Sequence, residues 1–302
     1  MKTNIKTIIV PTDFTKKSDN ALKTAVHIAL RHNAKIVLFH IVETYYLIDR
    51  GGKQVIGSET VQQNIDVAKR KLKTIKATLS SEYSKLKISV QIKIENIVDS
   101  VNDLIAEEIG DLVVMGTSGR QGWKEFVLGS HSYLVLSNAN CSVMLVPENS
   151  EKYDFKNILF PVRVSENIDE KLKFCLLITE KNDSNINVLG VCNEDNIKTI
   201  KEEFLKVRNK LNFIALKHRS KIVYAFDNAK KISDFSEKTD ADLLFLNYED
   251  EQRWKSFFAE NFFKKIINYT DIPLFFLKPK IVAERFQEER YGSYDLTMPI
   301  PI

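Results

Sequence analysis

At 302 residues the chain is too long for one small core and the right length for two units of about 150 residues each. Hydrophobic residues make up 44% and charged residues 28%, a globular composition, and 44 basic against 40 acidic residues leave a net charge of only +4, so a nucleic-acid partner has little support. No apolar run approaches the roughly 20 residues that cross a bilayer. The basic opening Met1-Lys2-Thr3-Asn4-Ile5-Lys6 leads into a strand-like run rather than a leader's apolar stretch. Cys141, Cys175 and Cys192 are spaced too widely for a CxxC motif, and no His/Cys/Asp set has metal-ligand spacing. The expectation is a reduced, cytoplasmic protein with neither a nucleic-acid nor a membrane partner.

In chain order, an apolar strand at 6–10 stops at Pro11, and a helix over 18–32 carries Ala21, Leu22, Ala25, Val26, Ile28 and Ala29 on one face. A strand at 36–39 follows, then a long helix with Val61, Ile65, Ala68, Leu72, Ile75 and Leu79 at helical spacing. The basic run Lys69, Arg70, Lys71, Lys73 and Lys76 on its other face reads as a solvated surface. A strand at 88–94, a helix through Val101, Leu104, Ile105 and Ile109, a strand at 111–115, a helix from Ser130 and a strand at 142–146 complete the first unit. The plan then recurs. Lys156-Asn-Ile-Leu-Phe-Pro161 answers Lys6-Thr-Ile-Ile-Val-Pro11, and Asp242-Leu-Leu-Phe-Leu-Asn247 answers Asp111-Leu-Val-Val-Met-Gly116. Trp254 and Phe257 answer Trp123 and Phe126, and persist without a glycine-rich loop, which reads as packing. Further strands at 158–160, 186–191, 221–225, 243–246 and 274–277 alternate with helices at 169–179, 197–214 and 229–238. Strands alternating with helices predict right-handed crossovers. The expected fold is α/β: two tandem open-sheet domains, each a five-stranded parallel sheet with helices on both faces. The domains span 1–150 and 151–280, with an extended tail at 281–302.

The segment Gly116-Thr-Ser-Gly119-Arg-Gln-Gly-Trp-Lys-Glu-Phe-Val-Leu-Gly129-Ser130-His131 follows a buried strand and opens a helix. Ligands of open parallel sheets bind beyond the carboxyl ends of the strands. Glycine lets backbone N–H groups approach phosphate oxygens, and a helix N-terminus adds free donors and a positive dipole end. Gly116 and Gly119 fit either such a cradle or a tight turn alone, Asp13 either a ligand contact or a helix cap, and Ser130 both roles at once. His27 and His40 belong to helix and strand faces; His32 and His218 read as surface residues.

Gly116-x2-Gly119-x9-Gly129-Ser130 after a strand resembles the ATP-binding signature of the universal stress protein family. Pro11-Thr12-Asp13-Phe14 is similar to that family's opening, and Phe39-His40-Ile41-Val42 to the end of its second strand. The resemblance covers nearly all of 4–147 and, more weakly, 155–279. It implies an adenine nucleotide alpha hydrolase-like fold binding ATP, ADP or AMP, with or without Mg. It places Pro11, Thr12 and Asp13 at the adenosine end, with the Asp13 carboxylate accepting from base or ribose. Ile41 and Met115 would offer apolar contact to the base. Gly116, Thr117, Gly119, Gly129, Ser130 and the backbone of His131 would hold ribose and phosphates, with Arg120 and Lys124 adding charge. It also implies a homodimer or a protein partner. Where many relatives carry a glycine after a strand, this chain has Glu95-Asn96, which bears on affinity.

In the second half Asn247, Asp250, Glu260 and Asn261 stand in for Gly116, Gly119, Gly129 and Ser130, and Arg163 stands in for Asp13. Two carboxylates facing a triphosphate repel it, so only the first half is expected to hold ATP. There is no GxxxxGK[ST] loop, no kinase-like HRD or DFG set and no evident general base, so no catalytic residue is assigned. The leading reading is a stress-response regulatory module that binds an adenine nucleotide. The alternatives are a scaffold with vestigial pockets, and a slow ATPase or autophosphorylating protein.

Overall fold

The computed structural model describes residues 4–42, 58–94, 96–118, 130–163, 167–248 and 262–278. The first half runs β1 (Thr7–Pro11), α1 (Lys16–His32), β2 (Lys35–Ile41), α2 (Ser58–Glu82), β3 (Lys87–Lys93), α3 (Ile97–Glu108), β4 (Leu112–Thr117), α4 (Ser130–Asn138) and β5 (Ser142–Pro147). The second runs β6 (Asn157–Val162), α5 (Ile168–Asn182), β7 (Asn185–Cys192), α6 (Ile197–Phe213), β8 (His218–Tyr224), α7 (Asn228–Lys238), β9 (Leu243–Asn247), α8 (Phe262–Tyr269) and β10 (Leu274–Leu277). Every predicted strand is present within a few residues. Helix α8 is an addition: its eight residues, Phe-Phe-Lys-Lys-Ile-Ile-Asn-Tyr, are too short for periodicity to stand out.

All ten strands join one sheet in the order β3-β2-β1-β4-β5-β10-β9-β6-β7-β8. Each half is a five-stranded parallel sheet with the same internal order, as expected. What the sequence did not disclose is their union. Strands β5 and β10 pair antiparallel, with Leu274 opposite Leu145, Phe275 opposite Met144 and Phe276 opposite Val143. The offset that matches Gly116 with Asn247 also matches Met144 with Phe275, so a local two-fold axis passes through that pair. Aromatic rings fill the seam: Phe245 stacks on Phe275 at 4.7 Å and Phe263 meets Phe276 edge-on at 5.3 Å.

Alternation of side chains along the strands produces two cores. Ile8, Val10, Ile36, Leu38, Val114 and Met144 face the layer containing α1, α2, α5 and α6. Ile9, Val37, Phe39, Val113, Val143 and Leu145 face α3, α4, α7 and α8. Both cores run through both halves without a break. The repeated aspartates do the same work twice: Asp111 Oδ2 accepts from the backbone N–H of Lys6 and Thr7 at 2.8 and 3.1 Å, and Asp242 Oδ2 from that of Asn157 at 2.8 Å. Each carboxylate satisfies amide donors at the entrance to the neighbouring strand. Among the described residues no helix is long and apolar enough to cross a membrane.

The connection between halves is pinned to α1. Arg31 forms an ion pair with Asp154 at 2.7 Å and donates to the Tyr153 carbonyl, while Tyr153 stacks on His27 at 5.0 Å. His32, which reads as a surface residue, is half-buried here, and its Nδ1 is shut off from water without a hydrogen-bond partner. Burial, reinforced by the charges of Lys181 and Arg31, pushes its imidazole down to about 4 from an ordinary 6.5. The folded chain therefore keeps His32 neutral at a pH where the unfolded chain protonates it. Its contribution is complete above about pH 6.5 and drains away as pH falls toward 4. Urea unfolding at pH 7 and pH 4.5 should show wild type losing about 1–2 kcal/mol more than His32→Gln over this interval. Equal losses in the two proteins would remove His32 from the acid response.

Candidate functional site

The first-half sheet reverses its direction of growth between β1 and β4, which opens a crevice at their carboxyl ends. Pairing of β1 with β2 continues to Pro11 opposite Phe39, and Thr12 N–H extends it to the Phe39 carbonyl at 2.8 Å. Pairing of β1 with β4 ends at Ile9 opposite Val113. Because successive amides along a strand face alternate neighbours, Pro11 presents its missing N–H toward the gap beside β4. A proline in a central strand thus costs no ladder bond and marks where the strands part. Pro161 in β6 sits at the same kind of gap, since β6 pairs with β9 only through Ile158 and Leu159.

The turn after β1 is tightly determined. Thr12 is buried, and its hydroxyl lies 3.2 Å from Ser18 Oγ and accepts from Phe14 N–H at 3.1 Å. Asp13 is exposed; its Oδ1 accepts from the backbone and hydroxyl of Thr15, and its Oδ2 lies 3.4 Å from the Lys17 ammonium. Partial burial opposes ionisation of Asp13, but hydrogen bonds from Thr15 and Ser18, helped by Lys17, outweigh it and hold the carboxyl below its usual range. Asp13 is not the cap of α1: it holds Thr15, which is the N-cap residue, and keeps an anionic carboxylate near the end of β1.

Phe14 adopts a left-handed backbone with φ of 61°, a conformation a bulky residue rarely takes without a surrounding that enforces it. Its ring packs 4.4 Å from His40, and the Lys71 ammonium sits 4.8 Å above it. His40 Nδ1 lies 2.7 Å from the Thr12 carbonyl, which can only accept, so the ring carries a proton on Nδ1. Phe14 and His40 lie within the two quoted motifs without an assigned role, and Lys71, read as part of a solvated face, joins them in a supporting layer. Their adjacency depends on an unusual φ that no residue type announces.

Ile41, at the end of β2, and Met115, near the end of β4, are partly buried on the other face of the sheet. Ile97, the first residue of α3, joins them there and was not anticipated. Asn96, one of the two residues that depart from the glycine pattern, is the N-cap of α3: its Oδ1 accepts from Val98 and Asp99 N–H at 3.1 and 3.0 Å. Glu95 lies outside the described residues.

Gly116 has a steric reason to be glycine. A Cβ there would stand 2.4 Å from the Lys17 carbonyl oxygen and 2.6 Å from its carbon, because the first turn of α1 rests directly on the end of β4. On the other side Ser132 Oγ donates to the Gly116 carbonyl at 3.1 Å, which fixes the first turn of α4 against the same strand end. Ser130 begins α4 and His131 is exposed in its first turn, so the start of that helix lies beside the end of β4. Thr117 is buried, and its carbonyl accepts from Glu148 N–H at 2.9 Å. The structure thus gathers Pro11, Thr12, Asp13, Met115, Gly116, Thr117, Ser130 and His131 around one crevice, with Ile41 on the adjacent strand end. Gly119 and Gly129 lie outside the described residues, as do Arg120, Lys124, Asp250, Glu260 and Asn261.

The corresponding place in the second half is filled. Asn247 is buried at 2% exposure where Gly116 stands in the first half. Helix α5 begins only at Ile168, the position that matches Ser18, which leaves room for that side chain. The Arg163 guanidinium lies 3.5 Å from the ring of Phe262, the first residue of α8, and so spans the gap between β6 and that helix. Lys171 is buried at 1% exposure beneath it, donating to the Pro161 carbonyl at 2.6 Å with its ammonium 4.5 Å from the Phe160 ring.

Comparison with known proteins gives a consistent picture. The family model described as the universal stress protein family matches residues 4–147. A universal stress protein of Methanocaldococcus jannaschii is 30% identical over 162 residues, covering 48% of this chain and 97% of its own length. A second from the same organism is 27% identical over 143 residues, covering 47% of this chain and 81% of its own. The crystal structure of a universal stress protein from Archaeoglobus fulgidus superposes with a TM-score of 0.70 at 18% identity, across 92% of this chain and 99% of that one. The last likeness concerns the fold and extends it over both halves.

Gly116→Ala should destabilise the protein by about 1–3 kcal/mol in urea unfolding, since the added methyl meets backbone rather than a movable side chain. A change within about 0.3 kcal/mol would mean that α1 shifts freely on β4 and that the contact is not a constraint.

Proposed function

The chain belongs to the universal stress protein family, and we propose that its first half is an adenine-nucleotide-binding regulatory module whose second half has lost the equivalent site. One observation carries the reading. The reversal of strand order occurs twice, between β1 and β4 beside Gly116 and the start of α4, and between β6 and β9, where Arg163, Phe262 and the buried Asn247 lie. In this reading residues 1–150 form the nucleotide-holding domain, 151–280 a degenerate partner domain, and 281–302 a tail.

The residues around the first crevice fit an adenine nucleotide in chemical type. Ile41, Met115 and Ile97 supply apolar surface for a base, and the ionised Asp13 supplies an acceptor for an amino or hydroxyl group. The α4 N-terminus, with Gly129 and Ser130, supplies backbone donors and a positive dipole end for phosphates. The polyphosphate would bring the negative charge that this end of α4 favours. In the second half, Asp250 and Glu260 would face phosphate with like charge. The degenerate domain acts instead as a built-in packing partner and as a surface for another protein.

Calorimetric titration with Mg-ATP tests the assignment. Wild type should bind, and Gly129→Glu, which copies Glu260, should weaken binding at least tenfold, about 1.4 kcal/mol, with little change in melting temperature. Undiminished binding by Gly129→Glu would place the nucleotide somewhere other than the α4 cradle.

A further inference from the structure

The far end of helix α4 is bonded by both halves: Asn102 of α3 donates to the Asn138 carbonyl at 3.1 Å, and the second half reaches the two carbonyls before it. The helix has nine residues, Ser130–Asn138, too few to be stable or fixed in direction without tertiary contacts. The last carbonyls of any helix lack partners within it. Here Lys278, directly after β10, donates from Nζ to the Leu136 and Ser137 carbonyls at 3.0 and 3.3 Å. Tyr248, directly after β9, donates its hydroxyl to the Ser137 carbonyl at 3.3 Å, and its ring lies 4.3 Å from the Lys278 ammonium. Lys278 N–H is itself anchored to Ser142 Oγ at 3.3 Å. Nearer the helix start, Lys264 of α8 stands 5.1 Å from the Tyr133 ring.

The arrangement is one-sided. Under the local two-fold that relates Met144 to Phe275, Lys264 answers Tyr133, so that contact lies across the axis. Lys278 answers Pro147 and Tyr248 answers Thr117. Proline and threonine carry neither the cation nor the long hydroxyl reach needed to hold the end of α8 in return. The second half therefore bonds the end of α4, the helix whose start lies beside the end of β4, and among the described residues neither Pro147 nor Thr117 returns a matching bond to α8. A cation at the carboxyl end also complements the helix dipole that the amino end presents to phosphate. Burial pulls the Lys278 ammonium down to about 8, in keeping with a seat inside the junction rather than on its surface.

We infer that Lys278 and Tyr248 are positioning residues for the nucleotide site: the degenerate half sets the direction of α4 and thereby the affinity of the crevice at its other end. The inference rests on the nucleotide-binding reading above. It gives the second half a specific task, because anything that shifts β9 or β10 is transmitted along a helix about 13 Å long. Linkage makes the effect mutual, so nucleotide should also tighten the seam.

The test is calorimetric titration of the full chain with Mg-ATP, alongside thermal melts, for wild type, Gly129→Glu, Lys278→Met, Lys278→Arg and Tyr248→Phe. Lys278→Met should stay folded at the titration temperature and bind roughly fivefold to tenfold more weakly. Lys278→Arg, which restores a cationic donor, should return to within about twofold of wild type. Lower melting temperature with wild-type affinity in Lys278→Met would overturn the inference, because a merely structural lysine behaves that way. If Lys278→Met fails to fold, Tyr248→Phe decides: about twofold to threefold weaker binding supports the inference and unchanged binding overturns it. Binding by wild type that Gly129→Glu abolishes secures the underlying reading, so a null result at Lys278 then counts against the inference alone. No binding by wild type overturns both.

Discussion

The pairing of β5 with β10 is the constraint on which the remaining architecture depends. All six residues of β5 and all four of β10 are buried, so either strand left as an edge would expose apolar side chains and unpaired backbone groups together. Antiparallel union removes both edges and merges the two cores into continuous layers. The edges that remain, β3 and β8, are of another character. Lys87 and Lys93 flank the first, and Arg219 and Lys221 lie in the second, where charge discourages further strand addition. The seam therefore closes the sheet within the chain and leaves its outer ends guarded.

The two equivalent strand ends carry different side chains. Arg163 covers an aromatic ring, Asn247 is buried at the position of Gly116, and Lys171 satisfies a strand-end carbonyl from inside the core. The first half has Pro11 where β1 parts from β4, a glycine forced by the closeness of α1, and an ionised Asp13. The two strand ends share one topology and differ in their side chains and in where the following helix begins.

Much of this was legible from sequence, for identifiable reasons. Buried parallel strands are short apolar runs bounded by turn residues, so Leu274–Leu277 and Ser142–Pro147 could be located to within a residue. The repeated Asp111 and Asp242 marked equivalent strand starts, and both accept from the matching backbone amide, Thr7 in one half and Asn157 in the other. The antiparallel seam was not legible, because an apolar run reads alike whether its neighbour belongs to the same half or the other. Nor was the reason for Gly116, which lies in the backbone of Lys17 across the crevice. Phe14 over His40, Arg163 over Phe262 and Lys278 on α4 are likewise pairings between segments distant in sequence, which only the fold brings together.

The central claim is that one chain carries one nucleotide. Its most direct test is to purify the protein, denature it, and quantify the released and rebound adenine nucleotide per chain by chromatography after saturation and desalting. The account predicts one equivalent per chain. Two equivalents would show that Arg163 and Asn247 do not block the second crevice, and none at saturating nucleotide would show that the first crevice is not a nucleotide site.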